Sequence, residues 1–506
     1  MRRVCTGFVG VVLALMLAGF FPVCVSAQVL FRVRIDPGIH GVPYTGRVYV
    51  AITPAAVVEP RLEAGNWFEP PRILAVDVEG LAPGAWVSID GSEINFPGGE
   101  IGAGAYAAQA FGRLNPDSPE PGRGVGDPYS AAVRFKVEEE SAQVEAIELV
   151  LDRVVESEPF EETDRIRLVE MVSPLLSAFH GREVVMRAGV RLPREWAPDG
   201  SRTYPTVYWV TGFGGDHTSI VGLDRMLTRV PGADECLIVV PDASCYWGHS
   251  VFADSATNGP RGRALVEELI PEVEARFRGA GVRDRRAVTG GSSGGWASLW
   301  LQVMYPESFG SCWSHCPDPV DFRDFQRINL YEPGANMYRD HEGNARPLAR
   351  RNGEVILEYE PFVRMEDALG PGGQIASFEA VFSPRGADGG PRRLFDRETG
   401  EVDHEVARTW EPYDIRLYLE RNWERVGAGL AGRLRVFAGS VDTFYLEGAV
   451  ALLAESLSAL GSDAEVKIVE GMGHTVYPEG VRRMFVHLVE REPEQFPAGE
   501  ASSGAE

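Results

Sequence analysis

The amino-acid sequence predicts an α/β fold, with a mostly parallel sheet covered by helices on both faces, preceded by a smaller all-β domain. Short apolar runs with period-two alternation fill residues 28–155 and are separated by Pro/Gly turns. From about residue 180, apolar strands alternate with helical patterns, which is typical of a parallel sheet. A glycine-rich turn at 290–295 joins one of these strands to a helix. The 506 residues suffice for about two or three domains.

The N-terminal β-domain is predicted over residues 28–165. Its first strand alternates apolar and polar positions through Val29, Phe31, Val33 and Ile35, and later runs repeat the pattern. Short strands with regular turn signals favour a sandwich-like arrangement. The region shows no set of chemically reactive residues, so we interpret it as a packing domain, with carbohydrate or partner binding as the alternative.

The α/β domain is predicted over residues 166–491. A helix is expected at 296–305, directly after the glycine-rich turn, and Pro271 is expected to bend an earlier helix. Residues 318–420 read as a long, irregular insert that covers or shapes a pocket, and the polar tail at 492–506 is expected to be disordered. The expected strands of the parallel sheet lie at 184–192, 206–210, 237–240, 287–289, 312–315, 434–438 and 466–469.

The first 27 residues have the pattern of a secretory signal peptide. Arg2 and Arg3 precede an apolar run, and Val25 and Ala27 supply the small residues of a cleavage site. An uncleaved membrane anchor is the rival interpretation, because the run approaches the ~20 residues that a span requires. Cleavage after Ala27 predicts an exported protein, periplasmic or extracellular, with no stable membrane insertion.

Charge and cysteine usage narrow the possible partners. The formal net charge is −24, which argues against a nucleic-acid partner, because such proteins need a basic surface. The chain has two lysines, Lys136 and Lys467, so a lysine-based mechanism has few candidates. Four cysteines follow the leader, without a second ligand pair at zinc-binding spacing, so we expect no metal site. Disulfide pairing and oligomeric state are not set by the sequence.

The glycine-rich turn contains two overlapping G-x-S-x-G patterns, centred on Ser292 and Ser293. Its position between a short strand and a helix is where a nucleophile elbow belongs. A phosphate-binding loop is disfavoured because the turn contains no lysine, which such a loop uses to bind phosphate. The S-x-x-K pattern of serine β-lactamases also fails, because Gly295 stands at the lysine position.

Residues 289–295, Thr-Gly-Gly-Ser-Ser-Gly-Gly, resemble the T-G-H-S-M-G-G segment of the esterase D-like putative esterase family of α/β-hydrolases. The following helix also ends in Tyr-Pro, at Tyr305 and Pro306, as in that family. The family includes siderophore, feruloyl and acetyl-xylan esterases and mycolyltransferases. The resemblance implies an α/β-hydrolase fold and assigns the nucleophile to Ser292. Gly291 departs from it, standing where the family usually has histidine.

The remaining catalytic candidates follow later strands. His474 lies in a glycine-flanked loop, and Asp442 lies 32 residues earlier, in the Ser…Asp…His order of this fold. His474 would take the serine proton, and Asp442 would orient the imidazole. The weaker candidates for the carboxylate are Glu447 and Asp242, and the other histidines considered are His217, His249, His315 and His487.

The oxyanion hole is expected from two backbone amides. In this fold one is the amide after the nucleophile, here that of Ser293. The other comes from the loop after the third strand. Residues 212–215, Gly-Phe-Gly-Gly, resemble the family's His-Gly-x-Gly-Gly loop with Thr211 in place of histidine, and this assigns the second amide to Phe213.

These residues together predict an exported serine esterase that works through an acyl-enzyme without metal or organic cofactor. The expected substrate is a small-molecule or polysaccharide-linked ester, and no nucleic-acid partner is expected. An acyltransferase of the mycolyltransferase kind is the first alternative. The second is an inactive hydrolase scaffold that acts as a binding protein.

Overall fold

The computed structural model describes residues 29–138 and 146–490. The predicted leader at 1–27 and the predicted tail at 492–506 lie outside the described residues. Among the described helices, none combines the length and the apolar composition that crossing a bilayer requires.

The N-terminal region forms a nine-stranded sheet, and its all-β prediction is confirmed. The strands run in the order β4-β1-β9-β7-β6-β2-β3-β5, and β8 pairs with β6 as a branch. The sheet is mostly antiparallel, but β1 and β9 are parallel. Its strands are β1 (Phe31–Ile35), β2 (Tyr44–Pro54), β3 (Arg72–Leu81), β4 (Val87–Ile89), β5 (Ile94–Phe96), β6 (Gly104–Phe111), β7 (Pro128–Ser130), β8 (Val133–Val137) and β9 (Ile147–Val154).

The alternating apolar positions of this sheet meet in one core. Phe31 and Val33 of β1 pack in the same buried cluster as Val50 of β2 and Leu149 of β9. The strands of this domain therefore enclose a core of their own, as the predicted sandwich-like domain requires. The sequence missed β6, because its centre, Ala-Ala-Gln-Ala, lacks the β-branched residues that mark strands.

The second region is built on an eight-stranded sheet in the order β10-β11-β13-β12-β14-β15-β16-β17. Strand β11 pairs antiparallel with β10 and β13, and the other pairs are parallel. This confirms the predicted α/β-hydrolase fold. Its strands are β10 (Ile166–Val172), β11 (Val185–Arg191), β12 (Thr206–Val210), β13 (Leu237–Pro241), β14 (Arg286–Ser292), β15 (Ser311–Pro317), β16 (Leu434–Gly439) and β17 (Glu465–Val469).

Eleven α-helices accompany this sheet in the described chain. They are α1 (Pro174–His180), α2 (Ile220–Leu227), α3 (Arg261–Ala264), α4 (Ile270–Phe277), α5 (Ser293–Met304), α6 (Tyr359–Leu369), α7 (Gln374–Phe382), α8 (His404–Trp410), α9 (Ile415–Leu430), α10 (Glu447–Ala459) and α11 (Pro478–Glu490). A π-helical turn, Leu265–Leu269, joins α3 to α4. It lies just before Pro271, whose missing N–H disturbs the helical hydrogen bonding there, as the sequence predicted.

The insert is more ordered than the sequence predicted. Residues 318–414 contain α6, α7 and α8 and a two-stranded hairpin formed by Pro347–Arg351 and Glu354–Glu358. Helix α6 carries buried Phe362, Met365 and Leu369 at helical spacing. The helical period was not recognised in the sequence because Gly and Pro are frequent around these helices. Pro361 does not interrupt α6, because it lies in the first turn, where proline is tolerated.

The β-domain packs against the insert. Tyr49 is fully buried, stacks on Phe111 at 4.9 Å and donates its hydroxyl hydrogen bond to the Leu369 carbonyl at 2.7 Å. The Arg47 guanidinium donates to the Asp367 carbonyl at 2.7 Å. One face of the β-domain is therefore part of the same core as the α/β domain, and this brings its loops close to the ends of the parallel strands.

Candidate active site

Ser292 lies at a sharp turn between β14 and α5. Its backbone angles are φ 58° and ψ −126°, a strained conformation for a residue with a side chain. The flanking glycines permit the turn, because a Cβ atom on Gly290 or Gly294 would lie 2.4 Å or 2.1 Å from the Val210 carbonyl oxygen. The structure thus places Ser292 at the elbow, and Ser293 becomes the first residue of α5.

The two predicted oxyanion donors flank this serine. The Ser293 amide opens α5 and has no acceptor within the helix, and the positive end of the helix dipole lies at the same place. The loop that carries Phe213 passes directly over the serine, since a Cβ atom on Gly212 would lie 3.3 Å from the Ser292 Cβ. Both residues are therefore located where the sequence analysis expected them.

His249 is hydrogen-bonded to the start of the loop that carries Phe213. Its Nε2–H donates to the Thr211 carbonyl at 3.1 Å, and its Nδ1 accepts from the Val251 amide at 3.1 Å, which fixes the neutral tautomer. Burial lowers the pKa of His249 to about 4, so the ring stays uncharged at neutral pH. The sequence placed this histidine near the rim, and its role in holding the loop was missed.

Asp442 and His474 form a buried pair. The Nδ1–H of His474 donates to Asp442 Oδ2 at 2.8 Å, and Asp442 is fully buried. The other carboxylate oxygen accepts from the Phe444 amide at 2.8 Å, which holds the aspartate in a turn after β16. The Phe444 ring packs edge-on against the imidazole, with centroids 4.9 Å apart. The carboxylate therefore fixes the tautomer that leaves Nε2 free to accept a proton.

The surroundings of His474 favour its protonated form. Burial alone would lower the pKa of His474, but hydrogen bonds with Asp442 and with Cys316 outweigh burial and raise this pKa above that of a free imidazole. Cys316 is a buried free thiol at the end of β15. The sequence analysis did not connect it with the histidine.

Ser292 and His474 line the same cavity, but no hydrogen bond joins them in the described chain. The Ser292 hydroxyl donates to Asp318 Oδ1 at 3.2 Å. The other Asp318 oxygen accepts from the Ser293 hydroxyl at 2.5 Å. The Ser292 hydroxyl must therefore leave Asp318 before His474 can take its proton.

The cavity above Ser292 has a volume of about 500 Å³ and mostly apolar walls. Trp67, from the β-domain, contacts the Phe213, Phe362 and Phe444 rings at centroid distances of 5.7, 4.8 and 5.9 Å. The lining residues are Gly65, Trp67, Phe68, Glu120, Gly212, Phe213, Gly214, Ser292, Asp318, Pro319, Gln326, Leu348, Phe362, Gln374, Ile375, Phe378, Phe444 and His474. Three parts of the chain thus meet here: the β-domain, the insert and the loops of the parallel sheet.

The weaker carboxylate candidates have other partners. The Glu447 carboxylate accepts from Arg350 at 2.5 Å, and the Asp242 carboxylate pairs with His217 at 3.0 Å. His315 is buried beneath the His474 loop, where its Nδ1 accepts from the Tyr477 amide at 3.1 Å. Burial lowers the pKa of His315 to about 3. His487 lies on α11 beside the Trp313 ring.

Cys316, Asp442 and His474 form a group of three side chains whose ligand atoms lie within 4.8 Å of one another. Such a group could hold a metal ion in principle. The hydrogen bond between Asp442 and His474 already satisfies one atom of each, so we interpret the group as proton-transfer machinery. Cys236, Cys245, Cys312 and Cys316 are all buried free thiols.

Sequence reasoning missed Asp318, Gln374 and Trp67. Asp318 directly follows β15, a strand that lies beside the elbow strand in the sheet, and carboxyl ends of neighbouring parallel strands meet at one edge. That signal could have identified Asp318. Trp67 and Gln374 come from regions outside the parallel sheet, and no local pattern connects them with Ser292.

Known proteins resemble part of this chain. Residues 181–375 match the family described as putative esterase. Two Mycobacterium tuberculosis proteins, esterase MT1326 of strain CDC 1551 and esterase Rv1288 of strain H37Rv, are each 32% identical over 145 residues, or 27% of this chain. The matched segment spans 30% of the length of each relative.

Solved structures with a similar arrangement include a ferulic acid esterase, with a TM-score of 0.39 and 15% identity over 63% of this chain and 95% of that one. An S-formylglutathione hydrolase from Agrobacterium tumefaciens has a TM-score of 0.38 and 15% identity over 64% of this chain and 94% of that one. The sequence match is the more informative comparison. It includes the Gly-Phe-Gly-Gly loop, the elbow and Asp318, so these parts of the site lie within the segment that is similar to the putative esterase family.

Proposed function

We propose that the protein is a serine esterase that hydrolyses carboxylic esters through an acyl-enzyme. The observation that carries this proposal is the position of Ser292 at a strained elbow in the cavity that also contains His474, itself bonded to Asp442 at 2.8 Å. Esterase relatives and the family match of residues 181–375 support it.

In the proposed reaction these residues act one after another. Ser292 turns from Asp318 towards His474, which accepts the hydroxyl proton as Oγ attacks the ester carbonyl. The Phe213 and Ser293 amides stabilise the oxyanion, and Asp442 stabilises the imidazolium that forms. His474 then returns the proton to the leaving alcohol. Water, activated by the same histidine, hydrolyses the acyl-enzyme and releases the carboxylic acid.

Labelling with a fluorophosphonate tests this proposal. The reagent modifies activated serines, so peptide mapping of the purified protein should find the label on Ser292, and His474→Ala should abolish it. Label on Ser293 would move the nucleophile by one residue, and absence of label on both would contradict a serine-esterase function. The same preparation is assayed for acid release from a p-nitrophenyl ester. Acyl transfer in place of hydrolysis would appear as an ester product when an alcohol is added.

We also propose that the protein is exported, on the strength of its first 27 residues. Their basic start, apolar run and small residues before position 28 support removal by a signal peptidase. N-terminal sequencing of protein recovered from outside the cytoplasm should begin at Gln28. A chain that retains Met1 in the membrane fraction would contradict cleavage and favour an anchor.

A further inference from the structure

Asp318 lies against the nucleophile. It follows β15 directly, is only 6% exposed, and points its carboxylate into the cavity. Oδ1 lies 3.2 Å from Ser292 Oγ, and the Asp318 amide donates to the Ser292 carbonyl at 3.2 Å. The carboxylate is therefore held at a fixed distance from the atom that attacks the ester.

The Asp318 carboxylate has neutral hydrogen-bond partners. They are the hydroxyls of Ser292 and Ser293 and the Gln374 amide, whose Nε2 lies 3.2 Å from Oδ2. Some other buried carboxylates meet an arginine, since Asp321 lies 3.2 Å from Arg416 and Glu274 lies 2.6 Å from Arg286. Two more, Asp127 and Glu366, accept hydrogen bonds from backbone amides, whereas the Asp318 carboxylate accepts from side chains only. Among the described residues that line the cavity, none is lysine or arginine.

A buried carboxylate without a cationic partner costs free energy. Burial raises the pKa of Asp318, and a positive charge reaches it from His474 only when that ring is protonated. Catalysis requires His474 to be neutral before it takes the serine proton. When His474 is neutral, as it must be at the start of the reaction, no positive charge among the described residues that line the cavity offsets the charge of the Asp318 carboxylate.

The aromatic lining of the cavity is suited to a cation. The rings of Trp67, Phe213, Phe362 and Phe444 surround the space, and aromatic faces attract ammonium groups. We propose that Asp318 recognises a positively charged nitrogen close to the scissile carbonyl, so that the preferred substrates are esters carrying an ammonium group. This inference rests on the proposed esterase function and specifies its substrate class.

Recognition by Asp318 would also release the nucleophile. An ammonium that bonds to Oδ1 takes the place of the Ser292 hydroxyl, which then turns to His474. The carboxylate thus holds the serine away from its base until a cationic substrate arrives. The ammonium can lie on the acyl side, as in an α-amino acid ester, or on the alcohol side, as in a protonated 2-(dimethylamino)ethyl ester, since both place an N–H donor and a positive charge near the carbonyl.

Two matched substrate pairs test the proposal with the full-length protein. The acyl-side pair is phenylalanine ethyl ester and ethyl 3-phenylpropanoate. The alcohol-side pair is the 2-(dimethylamino)ethyl ester, protonated at neutral pH, and the 3-methylbutyl ester of 3-phenylpropanoic acid. The wild type should favour the charged member of at least one pair by about 10- to 100-fold in kcat/KM, the range for a hydrogen bond to a charged group. The favoured pair identifies the side that carries the charge.

Asp318→Asn should remove this preference, and Asp199→Asn is the matched control. Asp199 is exposed in the loop before β12, at the opposite end of the parallel strands from Ser292, so its variant should keep the wild-type preference. Equal kcat/KM values within both pairs for the wild type, or a preference that survives in Asp318→Asn, would overturn the proposal.

A binding measurement separates this proposal from the esterase function. Calorimetry with the wild type should show that phenethylammonium binds about 10-fold or more tightly than 2-phenylethanol, whether or not any ester is hydrolysed. Equal affinities would overturn charge recognition while leaving fluorophosphonate labelling of Ser292 intact. Loss of labelling with charge-selective binding retained would contradict the esterase function alone.

Discussion

Two histidine–aspartate pairs of the same local geometry differ in what faces the histidine. His474 lies 2.8 Å from Asp442, and His217 lies 3.0 Å from Asp242. In both, the other carboxylate oxygen accepts a backbone N–H from two residues further on, at 2.8 Å in the first pair and 2.9 Å in the second. The pairing itself is therefore not what marks the proposed catalytic site.

The difference lies on the far side of each ring. His474 opens into the cavity that contains Ser292, whereas the Phe160 ring stacks on His217 with centroids 5.9 Å apart. The serine beside the second pair, Ser244, donates to Asp242 at 2.6 Å and lies on an ordinary turn after β13. His217, Asp242 and Ser244 also line a cavity, so the comparison shows that the serine on a strained elbow is what distinguishes the His474–Asp442 pair as a candidate catalytic base.

The sharpest test of this comparison exchanges the two serines for alanine. Ser292→Ala should lower kcat by about 10⁴-fold or more, because the nucleophile is lost. Ser244→Ala should leave kcat within about twofold, because its hydroxyl only supports a turn. Steady-state kinetics with a p-nitrophenyl ester measure both. A large loss in Ser244→Ala would show that the second pair takes part in the chemistry.

The two aspartates provide the next test. Asp442→Asn should lower kcat by about 10⁴-fold, since the amide favours the wrong tautomer of His474. Asp242→Asn should reduce stability with little effect on kcat. Burial raises the pKa of Asp242, but bonds from His217 and Ser244 outweigh it and lower this pKa overall, so the charged form is the one stabilised by folding.

Thermal denaturation completes that test. Loss of the charged hydrogen bonds in Asp242→Asn should cost about 1–3 kcal/mol. Since folding lowers the pKa of Asp242, this contribution is present above the unfolded pKa and disappears as the pH falls through the folded value. The variant and the wild type should therefore converge in stability at acidic pH. A difference in stability between the two proteins that does not change with pH would show that the variant loses packing and not a charged hydrogen bond.

Substitution of Trp67, in the β-domain, tests whether the cavity above Ser292 binds the substrate. Trp67→Ala should lower kcat/KM for a bulky ester by about 10-fold, because an apolar wall is removed, and should affect an acetyl ester less. Trp86→Ala is the control, since Trp86 lies in the same domain with the Arg32 guanidinium 4.9 Å above its ring. Equal losses for both esters would mean that Trp67 stabilises the fold and not the substrate.

The smallest expected effect is a shift in the pH profile. His474 acts as a base only when it is unprotonated, and its raised pKa places the acidic limb of kcat/KM above pH 6.5. Cys316→Ala removes one of the interactions that raise the pKa, so the limb should move to lower pH. Cys312→Ala, on the same strand, should leave the limb unchanged. A shift in both variants would indicate a general change in the strand.

The sequence identified the parts of the site that follow strand ends. Ser292, Asp442, His474 and the 212–215 loop all continue from apolar strands, so period and chain order, together with the family resemblance that chose Ser292 over Ser293, were enough to propose them. They could not reveal that the Ser292 hydroxyl is bonded to Asp318, because side-chain orientation depends on contacts between distant segments. The pairing of β1 with β9 could not be predicted for a related reason, since it joins strands that are far apart in the chain.

The position of Trp67 assigns two properties of the proposed enzyme, its chemistry and its substrate range, to different parts of the chain. The residues proposed to break the ester lie in the α/β domain, but one wall of their cavity is a short loop of the other domain. Changes in that loop can alter substrate range while leaving the reactive groups untouched. A laboratory library restricted to residues 64–69 is therefore a compact route to enzymes of new selectivity.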